Sequence, residues 1–258
     1  MKFQRFFGLL HREWQRHAAH FYLSVVSLIV YLVLIPLTMA KFFPQNWNLE
    51  DTVMSHLIAF MVFFVLIPIQ LAFNIRQENK QSDIWLHTPA PFWQLISAKL
   101  LYYLAIAIIH FGLISISLLT ALRIIQDTSV IDFIPIIFTT VFISSIEILS
   151  LMIFILLAVV FVLFFKRYMG WLAYIVTIVL MTALIFIELL LEEIGFYNDF
   201  IYSGVNLMDF IPLPQAYETT LLIELSDFFY VKDIVLYFII YAVLTFFVIK
   251  WLERVIKR

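Results

Sequence analysis

The chain has no cysteine and only five glycines among its 258 residues. Without a thiol there is no disulfide framework, no thiol nucleophile and no cysteine metal site. The glycines (Gly8, Gly112, Gly170, Gly195 and Gly204) are scattered, so no GxxxxGK(S/T) phosphate cradle can form. If ATP drives this protein, another chain must bind it. Charge is scarce as well: 13% of residues are Asp, Glu, Lys or Arg, against 64% hydrophobic; the near-neutral net charge of −2 hides a polarised molecule and says nothing about nucleic acid, which is not an expected partner. What the chain has in quantity is long apolar runs, with a mean hydropathy of +1.02.

At about 20 residues per crossing, six spans are expected at roughly 21–40, 53–73, 100–122, 133–165, 171–191 and 234–252. Thirteen of the 16 Lys and Arg lie on the segments that share a side with the termini. Only Lys41, Arg123 and Lys232 lie on the opposite side. Lys and Arg are retained in the cytoplasm during insertion, so both termini are expected there, in a multi-pass protein of the cell membrane. The first 20 residues are too long and too charged for a secretory signal, so the N-terminus is expected to be retained.

Residues 1–20 are expected to form an interfacial elbow helix ahead of a single six-span domain, 21–258. Phe3, Phe6, Phe7, Leu10 and Trp14 recur at helical spacing, with the cations mostly elsewhere on the wheel. Such a helix lies in the headgroup layer. His11, His17 and His20 are polar tips there, since no carboxylate or cysteine completes a metal site. Pro36 and Pro68 are expected to kink or end their helices. The cytoplasmic segment 76–95 holds a short helix capped by Ser82 or Asp83 and closed at Thr88-Pro89. A second amphipathic stretch then runs from Phe92 to Lys99 at the mouth of the third span. The fourth apolar run exceeds one crossing, so it must tilt, project or break, and KRYMGW at 166–171 turns it back. The outer segment 192–233 mixes aromatics, acids and two prolines, and short surface helices fit it better than disorder.

Within the spans the ionisable groups considered are His110, Glu147 and Glu188. A charge at mid-bilayer costs a few kcal/mol or more, so His110 and Glu147 either line a pathway or interface, or form a satisfied structural pair helped by Ser144, Ser145 and Ser150. No HExxH motif and no protease-type Gly-Asp pair occurs. Glu192-Glu193 lies on the outer edge, and Tyr197 stands where a paired-glutamate protease pattern wants Arg. The chain is expected to be non-catalytic.

The second cytoplasmic segment resembles that of the type-2 ABC permease family, the membrane subunits of ATP-driven exporters. The residues that carry the likeness are Arg76, Glu78, Trp85-Leu86, Thr88-Pro89, Trp93, Leu95 and Lys99. The glycine usual after the glutamate is replaced here by Asn79-Lys80. The resemblance implies an all-α membrane fold with six transmembrane helices, an N-terminal interfacial helix, a cytoplasmic coupling helix between spans 2 and 3 and short outer helices between spans 5 and 6. It also implies pairing with a second permease. Asp83, Ile84, Trp85, Leu86, His87, Thr88 and Pro89 would couple to a partner ABC ATPase, which holds ATP and Mg, and this chain would bind no cofactor itself. The cargo would be amphipathic or lipid-like. Among Gram-positive members the layout looks like that of antimicrobial-type peptide exporters. An ion-coupled secondary transporter or channel is the alternative.

Overall fold

Six helices make up most of what the computed structural model describes, residues 2–42, 49–80, 90–126, 134–193 and 231–257. They are α1 (Lys2–Phe42), α2 (Leu49–Lys80), α3 (Phe92–Gln126), α4 (Ile134–Met169), α5 (Leu172–Glu193) and α6 (Val231–Lys257). Among the described residues there is no strand. Helices α1 to α4 each carry a stretch long and apolar enough to cross a membrane, and α5 carries a shorter one, Leu172–Ile187. Large side chains such as Leu23, Val33, Met61, Ile178 and Phe247 stay exposed, as a lipid-facing surface requires and a water-facing one would not tolerate. The chain is an all-α membrane protein.

The elbow expected at residues 1–20 is helical but is not a separate element. Helix α1 runs unbroken for 41 residues, about 62 Å at 1.5 Å per residue, roughly twice the hydrocarbon thickness. No proline or glycine lies between Gly8 and Pro36 to break it. Pro36 and Pro68 both sit inside helices and end neither, which membrane helices tolerate because neighbours re-satisfy the freed carbonyls. The long fourth run is likewise one helix of 36 residues with no break. The expected stretch 92–99 is the first part of α3, entered through a hydrogen bond from the Gln94 N–H to the Pro91 carbonyl at 2.9 Å. The coupling residues 83–89 and outer residues 194–230 lie outside the described residues.

The chain forms two compact units, Met1–Met152 and Ile153–Arg258. In the first, α3 is central and both α1 and α2 pack along it. Ile96, Tyr103, Ala107, Phe111 and Ile114 of α3 are buried at helical spacing. Ala98 and Ala107 on α3 and Ala59 on α2 are buried too, small residues of the kind that let membrane helices approach closely.

In the second unit, Trp251 of α6 meets Phe161 and Phe164 of α4 edge-on, with ring centroids 5.3 and 5.7 Å apart. The Arg167 guanidinium donates to the Val255 carbonyl. The KRYMGW turn forms where expected. Gly170 has φ +56°, a conformation glycine adopts without strain. Its N–H donates to the Lys166 carbonyl at 3.2 Å, the common way to close a helix C-terminus.

A buried ionic junction of three helices

The most unusual feature of the first unit is an ion cluster with almost no exposure. Lys99 of α3 is fully buried, and Glu13 of α1 and Glu78 of α2 are 1% and 2% exposed. The Lys99 Nζ donates to Glu13 Oε2 at 2.7 Å, to Glu78 Oε1 at 3.0 Å and to Asn74 Oδ1 at 3.1 Å. An ammonium has three N–H groups, so every donor is used. Two further cations close the cluster from the side. Arg12 reaches Glu13 Oε1 at 3.0 Å, and Arg16 bonds Glu78 Oε1.

Asn74 extends the junction. Its amide nitrogen lies 2.9 Å from His17 Nε2, 3.3 Å from the Tyr103 hydroxyl and 3.4 Å from Glu13 Oε2. The Tyr103 hydroxyl donates in turn to the Gln70 carbonyl at 3.4 Å. Burial alone would raise the Glu13 carboxyl, but Lys99 and Arg12 more than offset it and hold Glu13 below the ordinary carboxylate range. Burial pushes His17 down, Glu13 opposes this, and Lys99 and Arg16 add to the lowering. His17 therefore favours its neutral form and accepts from Asn74.

Further along the same interior, two histidines repeat one pattern. His110 Nδ1 lies 2.8 Å from the Ile106 carbonyl and Nε2 3.0 Å from the Ser24 hydroxyl. His56 Nδ1 lies 2.8 Å from the Thr52 carbonyl and Nε2 3.0 Å from the Ser117 hydroxyl. A carbonyl only accepts, so Nδ1 carries a proton in both rings. Each histidine thus turns its other nitrogen to a serine on a neighbouring helix.

The residues expected to matter fall out unevenly. Glu78, Leu95 and Lys99 of the coupling-segment motif are buried, whereas Trp93 is 52% exposed. His110 belongs to the α1–α3 interior. Glu147 is half-buried on α4, and the serines near it spend their hydroxyls on α4 carbonyls: Ser144 on Thr140, Ser145 on Val141 and Ser150 on Glu147 itself. On the expected interfacial face, Phe7 is exposed and Phe6, Leu10 and Trp14 are half-buried, while Leu9 and Glu13 are the buried positions. Trp14 packs edge-on against Tyr102 with centroids 6.4 Å apart.

Glu13, Asn74, Tyr103 and His56 were not singled out by sequence reasoning. One signal pointed toward Glu13: Lys99 stands among Ile96, Ala98 and Leu100, and a cation in apolar surroundings needs an anion from somewhere. Among the described residues, no group of three or more His, Asp or Glu side chains is placed to hold a metal. The junction ties α1, α2 and α3 together through charge-assisted hydrogen bonds to one ammonium. Comparison with protein-family models, curated proteins and solved structures gives no match for this chain.

Proposed function

We propose that this chain is the membrane subunit of an ATP-driven ABC exporter, working with a second permease and two cytoplasmic ATPases to extrude an amphipathic or lipid-like substrate. The observation that carries this reading is the Glu78–Lys99 ion pair, because the coupling residues 83–89 lie between its two members in the chain. The pair pins the two helix ends that flank them, and Glu13 ties the same lysine to α1. A push on residues 83–89 would then move α1, α2 and α3 together instead of being absorbed by one helix end.

The motif residues from Arg76 to Lys99 and the clustering of Lys and Arg support the same reading. In it, six spans cross the cell membrane with both termini in the cytoplasm, and Trp85 and Leu86 enter a groove on the ATPase. The chain itself hydrolyses nothing. An antimicrobial-type peptide is the cargo that the layout favours.

The test is co-purification from detergent extracts, with the captured ATPase identified by its phosphate-loop sequence. Trp85→Ala and Leu86→Asp should weaken capture. Retention of the ATPase by a variant scrambled over 83–89 would show that the coupling assignment is wrong. The two buried histidines, His56 and His110, favour one second reading, an ion-coupled transporter or channel, since intramembrane histidines often serve ion or proton pathways. Transport by this chain alone in proteoliposomes without nucleotide would select it.

A further inference from the structure

In the second unit, where α4 gives way to the KRYMGW turn, two neighbouring cavities share Trp251 and Arg254 as lining. One, of about 210 Å³, lies between α4 and α6 and is lined also by Phe164, Arg167 and Tyr168. The other, of about 600 Å³, is an open groove on α6 completed by Phe246, Phe247 and Lys250.

Their depth follows from the two helices. Helix α4 carries no charge from Ile148 to Phe165 and then turns basic at Lys166 and Arg167. Helix α6 carries none from Ile234 to Ile249 and turns basic at Lys250. Trp251 packs on Phe161 and Phe164, so the two transitions lie at one level. Helix α4 is long and apolar enough to cross a membrane, which puts that level where hydrocarbon meets head groups. Exposed Tyr168 and Trp171 are the residues such a layer collects.

Lys and Arg gather at a membrane boundary without any ligand, so the cations alone prove nothing. The order of groups along α6 adds to them. Positions 246, 250 and 254 follow one another at i, i+4 spacing, with 247 and 251 beside them. This stripe starts at exposed phenylalanines and reaches Arg254 about 12 Å further on, at 1.5 Å per residue. An amphiphile has the same order, acyl chain and then head.

The charges narrow the head. Lys250 meets Glu253 at 3.9 Å and Arg167 donates to the Val255 carbonyl, whereas Arg254 is in no ion pair among the described residues. A guanidinium fork suits phosphate oxygens through two parallel hydrogen bonds. Among the described residues no Asp or Glu lines either cavity. A choline or ethanolamine head would bring a further cation among Arg167, Lys250 and Arg254 with no lining carboxylate to meet it. A head with net negative charge brings none.

We propose that this end of the α4–α6 pair binds an anionic phospholipid, with its phosphate on Arg254 and Lys250 and an acyl chain along Phe246 and Phe247. The proposal uses the membrane character of the chain and not the ATPase-coupling reading, so failure to capture an ATPase leaves it standing.

The test is native mass spectrometry of the purified full chain in detergent. The probes are phosphatidylglycerol, phosphatidylcholine with the same acyl chains, and inorganic phosphate. Phosphatidylglycerol should bind at least about tenfold more tightly than phosphatidylcholine. A Lys or Arg near an anionic lipid surface is worth about a factor of five in binding. Arg254→Gln should therefore weaken phosphatidylglycerol binding about fivefold, and adding Lys250→Gln should remove the preference. Both side chains are exposed, so both variants should unfold at the wild-type temperature. Arg5→Gln removes an exposed cation of α1 and should change nothing, which separates a site from a general attraction to positive charge. Equal binding of the two lipids, an equal loss in Arg5→Gln, or an unchanged preference in the double variant overturns the proposal. Inorganic phosphate binding as tightly as the lipid, or a dimer that Arg254→Gln dissociates with no change in lipid binding, gives the face to another occupant and overturns it as well.

Discussion

Replacing Lys99 with methionine removes the one ammonium that two buried carboxylates share, while keeping much of the side-chain volume. Glu13 keeps Arg12 and Glu78 keeps Arg16, but those guanidiniums are 36% and 40% exposed, so solvent screens them. Removing one member of a buried pair costs about 3–5 kcal/mol, because the other charge is left uncompensated. The two arginines put Lys99→Met near the lower end, about 3 kcal/mol. For a unit of this size that corresponds to about 6–12 °C in unfolding temperature. The assay is thermal unfolding in one detergent at one scan rate, since membrane proteins seldom refold reversibly and the apparent midpoint depends on rate. Adding Glu13→Gln and Glu78→Gln to Lys99→Met should recover much of the loss, because the damage is the pair of stranded carboxylates and not the missing volume. If Lys99→Met unfolds at the wild-type temperature, or the triple variant is no better than the single, the junction does not carry the energy assigned to it.

Acid should weaken the fold in two stages. His17 and Glu13 both titrate lower in the fold than their ordinary values of 6.5 and 4.5, so the unfolded chain takes up each proton first and stability falls with pH. The first loss begins below about pH 6.5 and His17→Gln should flatten it; the second begins below about pH 4.5 and Glu13→Gln should flatten that. Gly170→Ala should cost about 1 kcal/mol through the left-handed backbone alone, since an added Cβ there meets nothing within 4 Å. Gly170→Asn should recover part of that in the same melting assay, because asparagine visits this region more readily. The cysteine-free chain permits a direct test of orientation: Trp85→Cys in intact cells should resist a membrane-impermeant maleimide and react only after permeabilisation, and labelling from outside would reverse the assigned topology.

Helix existence was legible from hydropathy, and the expected spans 21–40, 53–73, 100–122 and 234–252 each lie inside an observed helix. The turn at Gly170 was legible from local chemistry. What escaped was the joining of elements distant in sequence. Lys99 at the head of an apolar run looks like an interfacial cation reaching for water, and only the fold brings Glu13, 86 residues earlier, to within 2.7 Å. His56 passed unnoticed at the edge of the second span because its i−4 carbonyl and Ser117 satisfy it without any local motif. The elbow was read from the helical spacing of Phe3, Phe6, Phe7, Leu10 and Trp14, and that helix runs on into the apolar stretch because no proline or glycine interrupts it there.

The polar pairs also carry information about register. Glu13 meets Lys99 and Ser24 meets His110, and both pairs are separated by 86 residues. Eleven residues therefore advance along α1 while eleven advance along α3, about three turns or 16 Å of parallel packing at constant offset. Between apolar helices in lipid, packing alone leaves many offsets nearly equal in energy, because hydrocarbon is as good a neighbour as leucine. A slide of one turn would strand Lys99, Glu13 and His110 together, each away from its partner, and buried unpaired charge is the most expensive error available to the fold. The junction and the histidine–serine pair thus act less as a source of stability than as two pegs that admit one alignment. A block aligned in this way moves as a body, and that is the mechanical property the proposed coupling to an ATPase would require.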